Sequence, residues 1–316
     1  MVDSVSHERM QISDITPPFD FSKFVWLYGS YKYPELVDVV EDGRYYRVVY
    51  LEGGRKALLV LESAGTIEQP VLSVDVYSWN ALSTDDLSFI RSKIRWMLGL
   101  DEDLTGFYDY VSSRDPVLSR LVERFRGLRA PATPTVFEAV VHALVEQQIS
   151  FNFAGKIKSR LVEAYGEIFE LDGHRFHAFP RPERLAGATP EELRRLQLSR
   201  RKGEYIIGVA SKVVAGEFDF EKLISLPNEL VIEKIIELRG LGKWTAEMIM
   251  VRGMRKLDAI PADDIALRRL ISHYYFGDAK VSAGQARSLA EERWGKYRGY
   301  AAFYLMYGGR RDGFLK

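Results

Sequence analysis

Leu238-Arg-Gly-Leu-Gly-Lys-Trp-Thr-Ala246 is the stretch on which the fold turns. It sets glycines at alternate positions, 240 and 242, between two segments of helical pattern, Pro227–Leu238 and Thr245–Gly253. Glycine at both places lets the backbone turn tightly and lets a ligand approach with no Cβ in the way. The free N–H groups at the start of the following helix then face outward, and the helix dipole favours an anion there. Gly240, Leu241, Gly242, Lys243 and Thr245 are therefore candidate phosphate-binding residues, with Leu241 as an apolar plug and Lys243 as an added point charge. Taken alone, the pattern also suits a plain pair of C-cap glycines between packed helices.

Twenty residues beyond Trp244 comes Pro261-Ala-Asp-Asp-Ile265, where the next helix should begin. An Asp there is by default an N-cap. Two adjacent Asp residues need not both cap, so one is free to project into a cleft. A lone carboxylate beside a nucleotide can stabilise an oxocarbenium-like sugar and orient or deprotonate water.

Outward from this centre, the chain divides into two parts. Over about residues 1–115, Arg44–Leu51 and Lys56–Leu61 flank Glu52-Gly-Gly-Arg55 as a hairpin, Val71–Tyr77 alternates like a strand, and Thr84–Gly99 has helical spacing. This part reads as an antiparallel sheet with one or two helices. From 116 to 316 the pattern is helical with short loops. Phe137–Gln147 carries a buried-face periodicity, and Ala154–Tyr165, Ser199–Ala215, Asp264–Phe276, Ala283–Trp294 and Tyr300–Tyr307 follow suit. His174 and His177 fall in a polar connector, and His142 reads as a core or boundary histidine. The fold class expected is α+β: an N-terminal antiparallel β-sheet domain, then a two-lobed all-α domain.

Composition bounds the chemistry. The 316 residues contain no cysteine, which excludes disulfides, thiolate nucleophiles and cysteine-ligated metal, and the five histidines form no sequence cluster for a metal. No apolar run approaches a membrane span, and Met1-Val-Asp-Ser-Val-Ser-His-Glu8 lacks the apolar core of a signal peptide, so a soluble, intracellular protein without a membrane partner is expected. The 44 basic and 44 acidic residues cancel, which taken alone argues mildly against a nucleic-acid partner. Yet Arg194-Arg195, Arg200-Arg201-Lys202, Arg252, Arg255-Lys256 and Arg268-Arg269 concentrate in the half that carries the hairpin.

With these residues in hand, the chain resembles the helix–hairpin–helix DNA glycosylases, the superfamily that contains endonuclease III and the 8-oxoguanine glycosylases. It looks most like the 3-methyladenine DNA glycosylase II branch. The resemblance rests on Phe137 with Glu146-Gln-Gln-Ile-Ser150 and Ala154-Gly-Lys156, on Leu198–Tyr205, on the hairpin at 238–246 and on Asp264-Ile-Ala-Leu-Arg-Arg269. Arg293-Trp-Gly-Lys-Tyr-Arg-Gly-Tyr-Ala301 is similar to the family's C-terminal aromatic helix.

The resemblance implies base excision repair on double-stranded DNA, with a damaged base flipped into a cleft between helical lobes. It implies that Asp264 rather than Asp263 is catalytic, because Leu267 and Arg268 then supply the family's apolar third and basic fourth positions. Gln148, with Ile149 beside it, matches the wedge that fills the gap left by the base. Trp244 stands where lyase-competent members carry a Schiff-base lysine, which implies a monofunctional glycosylase. Trp244, Met248, Tyr300 and Met306 are the expected base pocket, although ordinary core packing suits Trp244 and the tyrosines as well. Met248 and Met306 replace aromatics usual in this branch, which leaves the damaged purine, alkylated or otherwise, open. No metal and no cofactor are implied, with room for a monovalent cation at the hairpin, and a monomer in the nucleoid is expected. Two other functions fit the same motifs: a bifunctional glycosylase/lyase for oxidised or deaminated bases using Lys243, and a non-catalytic DNA-binding module.

Overall fold

The computed structural model describes residues 5–30 and 36–315. The first four residues of the opening stretch discussed above lie outside the described residues. A five-stranded antiparallel sheet comes first, in the order β1-β5-β4-β3-β2. Its strands are β1 (Ser6–Ile12), β2 (Val39–Glu41), β3 (Arg44–Tyr50), β4 (Lys56–Ser63) and β5 (Leu72–Ser78). Alternation along β3 and β4 sends Tyr45, Val49, Leu59 and Leu61 into a core shared with α1 (Phe21–Gly29) and α2 (Thr84–Leu98), the latter held by a Ser83–Asp86 capping box.

Two helical lobes follow, each with its own core. The first contains α5 (Val136–Glu146), α6 (Phe151–Tyr165), α7 (Pro182–Ala186), α8 (Pro190–Arg195), α9 (Arg200–Val214), α10 (Asn228–Ile236) and α11 (Lys243–Gly253). The second is built from α3 (Thr105–Ser112), α4 (Pro116–Arg124), α12 (Ile265–Tyr275), α13 (Ala283–Trp294) and α14 (Arg298–Arg311). Helix α3 packs here through Leu104, Phe107, Tyr108 and Val111, with Tyr108 and Tyr304 hydroxyls 3.0 Å apart. By packing, then, the second lobe starts near Leu104, and a division at 115 would cut through its core.

One element departs from the all-helical expectation for this half. The polar connector holds a two-stranded hairpin, β6 (Ile168–Leu171) and β7 (His174–His177), turned at Asp172-Gly173 with φ of 48° and 80°. Phe169 and Phe176 pack under Val48, Leu58 and Val60 of the large sheet, so the hairpin joins the first lobe to the N-terminal domain. A buried arginine reinforces that junction: Arg47 reaches Asp38 at 2.8 Å and Glu138 of α5 at 2.5 Å. Among the described residues no helix is long and apolar enough to cross a membrane.

Candidate active site

The two hairpin glycines serve different ends. Gly240 has φ +93°, and a Cβ there would lie 2.2 Å from Cδ2 of Tyr205, so both the turn and the packing demand glycine. Gly242 has an ordinary φ of −99°, and a Cβ there would meet nothing within 4 Å. Space in front of Gly242 is open. Leu238 and Leu241 anchor the turn in the first core, and the Leu241 N–H donates to the Leu238 carbonyl at 3.1 Å. Gly242 caps α11 without a side-chain hydrogen bond, and the first N–H with an intrachain partner is that of Ala246, which donates to the Gly242 carbonyl at 2.9 Å. The N–H groups of Lys243, Trp244 and Thr245 are thus the unpaired donors of an exposed helix start, a geometry suited to one phosphate.

Lys243 is exposed beside them. Thr245 contributes only its N–H: the residue is buried, and its hydroxyl accepts from Gln147 Nε2 at 3.0 Å. The same Gln147 nitrogen donates to the Gly240 carbonyl at 2.9 Å, tying the turn after α5 to the hairpin.

That turn is the expected wedge. Gln148 is exposed and held at φ +55°, a left-handed conformation uncommon for a residue with a Cβ. Ile149, the other expected wedge residue, is half-buried and packs against the first core. Ser150 caps α6, and Lys202 of α9 donates to the carbonyls of Val145 and Gln147 at 2.8 and 2.5 Å. Burial lowers the Lys202 ammonium below its ordinary value, against the pull of Glu146. Behind the turn, Glu146 contacts Lys158 at 2.9 Å and Arg252 at 2.6 Å. Burial would raise its carboxyl, but Arg252, Lys158 and His142 outweigh burial and hold it at about 2.

The structure separates the two adjacent aspartates. Asp264 caps α12, one oxygen accepting the Leu267 N–H at 2.9 Å while the other has no hydrogen-bond partner. Asp263 is exposed and caps nothing. The connector leading to them is held at several points. Arg255 turns inward to Glu102 and to the Trp96 and Ala130 carbonyls, the latter two at 3.0 Å. Gly299 N–H donates to the Leu257 carbonyl at 2.8 Å, and Arg298 holds the Asp258 carbonyl. One buried carboxylate, Glu247 on α11, lies within electrostatic reach of both Lys243 of the hairpin and Asp263, the neighbour of Asp264.

The expected base pocket is only partly exposed. Met248 is buried in the first core, and Tyr300 is buried in the second, stacked on Phe107 at 5.3 Å. Trp244 and Met306 are half-buried at the edges of the two cores. Sequence reasoning missed Phe151 and Phe153, exposed aromatics just past the wedge turn, and Ile265, 68% exposed beside Asp264. The guanidinium of Arg310, from the second lobe, sits 4.5 Å over the Phe151 ring of the first. Large apolar side chains exposed at a helix start next to a polar turn were the available signal. Among the described residues no group of His, Asp and Glu is arranged to hold a metal ion.

Known proteins are similar to this chain in sequence and fold. Residues 141–296 match the model of the HhH-GPD superfamily base excision DNA repair proteins. A DNA-3-methyladenine glycosylase of Bacillus subtilis is 35% identical over 206 residues, 65% of this chain and 67% of that protein. DNA-3-methyladenine glycosylase 2 of Escherichia coli is 30% identical over 192 residues, 60% of this chain and 64% of that one. The solved 3-methyladenine DNA-glycosylase from Archaeoglobus fulgidus superposes with a TM-score of 0.83 at 28% identity, covering 96% of this chain and 98% of its own. The chain belongs to the HhH-GPD superfamily of base excision repair proteins and is a DNA glycosylase.

Proposed function

We propose that the enzyme is a monofunctional, monomeric glycosylase that hydrolyses the N-glycosidic bond of a flipped, alkylated purine in duplex DNA and leaves an abasic site. The observation that carries this reading is the carboxylate oxygen of Asp264 left without a hydrogen-bond partner at the start of α12, beside an Asp263 that lies within electrostatic reach of Glu247 on the hairpin helix. In this reading the phosphate is held at α11 and the sugar beside it comes next to that oxygen. As the bond between C1′ and the base nitrogen breaks, the base leaves with the electron pair, and positive charge gathers on the sugar, where Asp264 stabilises it. Water then forms the C1′–O bond and gives its proton to the carboxylate. An alkylated purine already bears positive charge and leaves as a neutral base, so little acid assistance is needed. That substrate class agrees with the names of the Bacillus and Archaeoglobus relatives.

Hydrolysis without a lyase step is supported by Trp244, which has no amine, and by Lys243, which lies on the exposed phosphate side of the hairpin. This route calls for no cofactor. The Leu238 and Gly240 carbonyls each already accept one N–H donor and keep a second lone pair, so they suit a monovalent cation that would steady the phosphate.

The test is base release from methylated duplex DNA, with the freed base identified by mass. Wild type should release methylated purines. Asp264→Asn should slow release by about 100-fold or more while binding an abasic-site duplex normally. Borohydride should trap no covalent adduct. A trapped adduct would overturn the monofunctional reading, and undiminished release by Asp264→Asn would overturn the role of the aspartate.

A further inference from the structure

Glu247 lies in the second turn of α11, 2% exposed. One of its oxygens accepts from Arg287 Nη2 at 2.7 Å, and the other is buried with no hydrogen-bond partner. Arg287 is on α13. The ion pair therefore runs from the hairpin helix, rooted in the first core, to a helix rooted in the second. Lys243 of the hairpin and Asp263 beside the cap of α12 also act on this carboxylate. A buried carboxylate half-satisfied by one arginine is a poor way to gain stability, since desolvation offsets most of the attraction. Burial indeed pushes the Glu247 carboxyl above its usual value, Asp263 adds to that, and Arg287 and Lys243 oppose it. Such a pair fixes position well, because each partner is expensive to strand away from the other.

We infer that Glu247 is a positioning residue: its ion pair with Arg287 sets the separation between the phosphate-binding hairpin and the Asp263–Asp264 turn across the two lobes. This rests on the reading of Asp264 as the catalytic acid. Affinity for DNA comes from the hairpin and the wedge, both within the first lobe, so losing the strut leaves binding intact and misplaces the acid relative to the sugar. A shift of about 1 Å in such a geometry is enough for a large loss of rate.

The experiment compares Glu247→Gln, Arg287→Gln and the double variant with wild type in single-turnover release of bases from methylated duplex DNA. Affinity for a duplex carrying a tetrahydrofuran abasic analogue is measured alongside. Each single variant should slow release about tenfold or more, with affinity changed less than about twofold, and the double variant should be no slower than either single. Arg287→Lys, which keeps the charge, should recover part of the rate. Wild-type rates in folded variants, an equal loss in rate and affinity, or loss of folded protein in both single variants would each overturn the inference. Asp264→Asn in the same series separates the two levels. If it abolishes release while Glu247→Gln is as fast as wild type, only the strut fails. If Asp264→Asn itself retains release, the reading of the active site fails.

Discussion

Replacing Glu146 with glutamine isolates the charge network that anchors the wedge. Glu146 ends α5, one residue before Gln147, and sits between Lys158 and Arg252 with only 9% of its side chain exposed. Its carboxyl is held at about 2 against an ordinary 4.5, a gap of roughly 2.5 units or about 3 kcal/mol. Because the folded value is the lower one, that stabilisation is fully present well above pH 4.5 and drains away as the pH falls toward 2. With these two values, linkage leaves most of it in place at pH 4.5 and removes about 2 kcal/mol by pH 3. Glutamine keeps the shape and carries no charge, so it resembles the protonated wild type. Urea unfolding followed by circular dichroism should therefore show Glu146→Gln destabilised by about 3 kcal/mol at pH 7 and by only about 1 kcal/mol at pH 3. A difference that stays constant, or grows on acidification, would show that the ion pairs with Lys158 and Arg252 are not what holds this helix end.

The glycines of the hairpin should separate under the same substitution. Gly240→Ala should lower thermal stability, through the clash with Tyr205 and the φ of +93°, while Gly242→Ala should leave the melting temperature unchanged and weaken duplex binding about tenfold. Equal effects of the two in binding and melting would contradict the division of roles. At the wedge, Gln148→Gly should relax the φ of +55° and stabilise the fold by up to about 1 kcal/mol, yet bind a damaged duplex more weakly than wild type; unchanged binding would exclude Gln148 as a wedge. Affinity for DNA should fall with salt, and Arg239→Ala, beside the hairpin, should make the slope of log K against log salt shallower by about one; an unchanged slope would place Arg239 off the phosphate path.

The features readable in the sequence were those whose physics is local. A Gly-x-Gly turn, an Asp before an apolar-periodic run and a polar break after a buried helix state their geometry within a few residues: Gly240 has a positive φ, Asp264 is the helix cap, and Gln148 lies in a turn. Pocket residues were harder because Thr245 to Met250 of α11 are buried on every side. A helix without an apolar stripe gives no sign of which face meets a cleft, and Met248 is buried in the first core. Asp172-Gly173 did carry a local signal, a two-residue hairpin turn, but strands of four residues on either side are too short for a convincing alternation. Glu247 and Arg287, forty residues apart, meet only through the docking of two lobes, and nothing in either segment announces the other.

Zero net charge looked unpromising for a protein that grips a polyanion, and the arrangement of the charges resolves the difficulty. Several acids are turned inward onto internal cations: Glu146 onto Lys158, Glu247 onto Arg287, Asp38 and Glu138 onto Arg47, Glu102 onto Arg255. Outside, near the hairpin, Arg200, Arg201, Arg239 and Lys243 are exposed, with Glu191, Glu204, Glu237 and Asp263 as counterweights, Glu237 already paired with Lys234. Tyr205 organises them. One edge of its ring closes against Gly240, and the guanidinium groups of Arg201 and Arg239 stand 5.9 and 5.5 Å from its centre. The field that a phosphate feels is set by charges within about 10 Å, a screening length in ordinary salt, and the sum over the whole chain does not enter. The same glycine that permits the turn therefore also seats the aromatic ring that gathers cations around the site of phosphate entry.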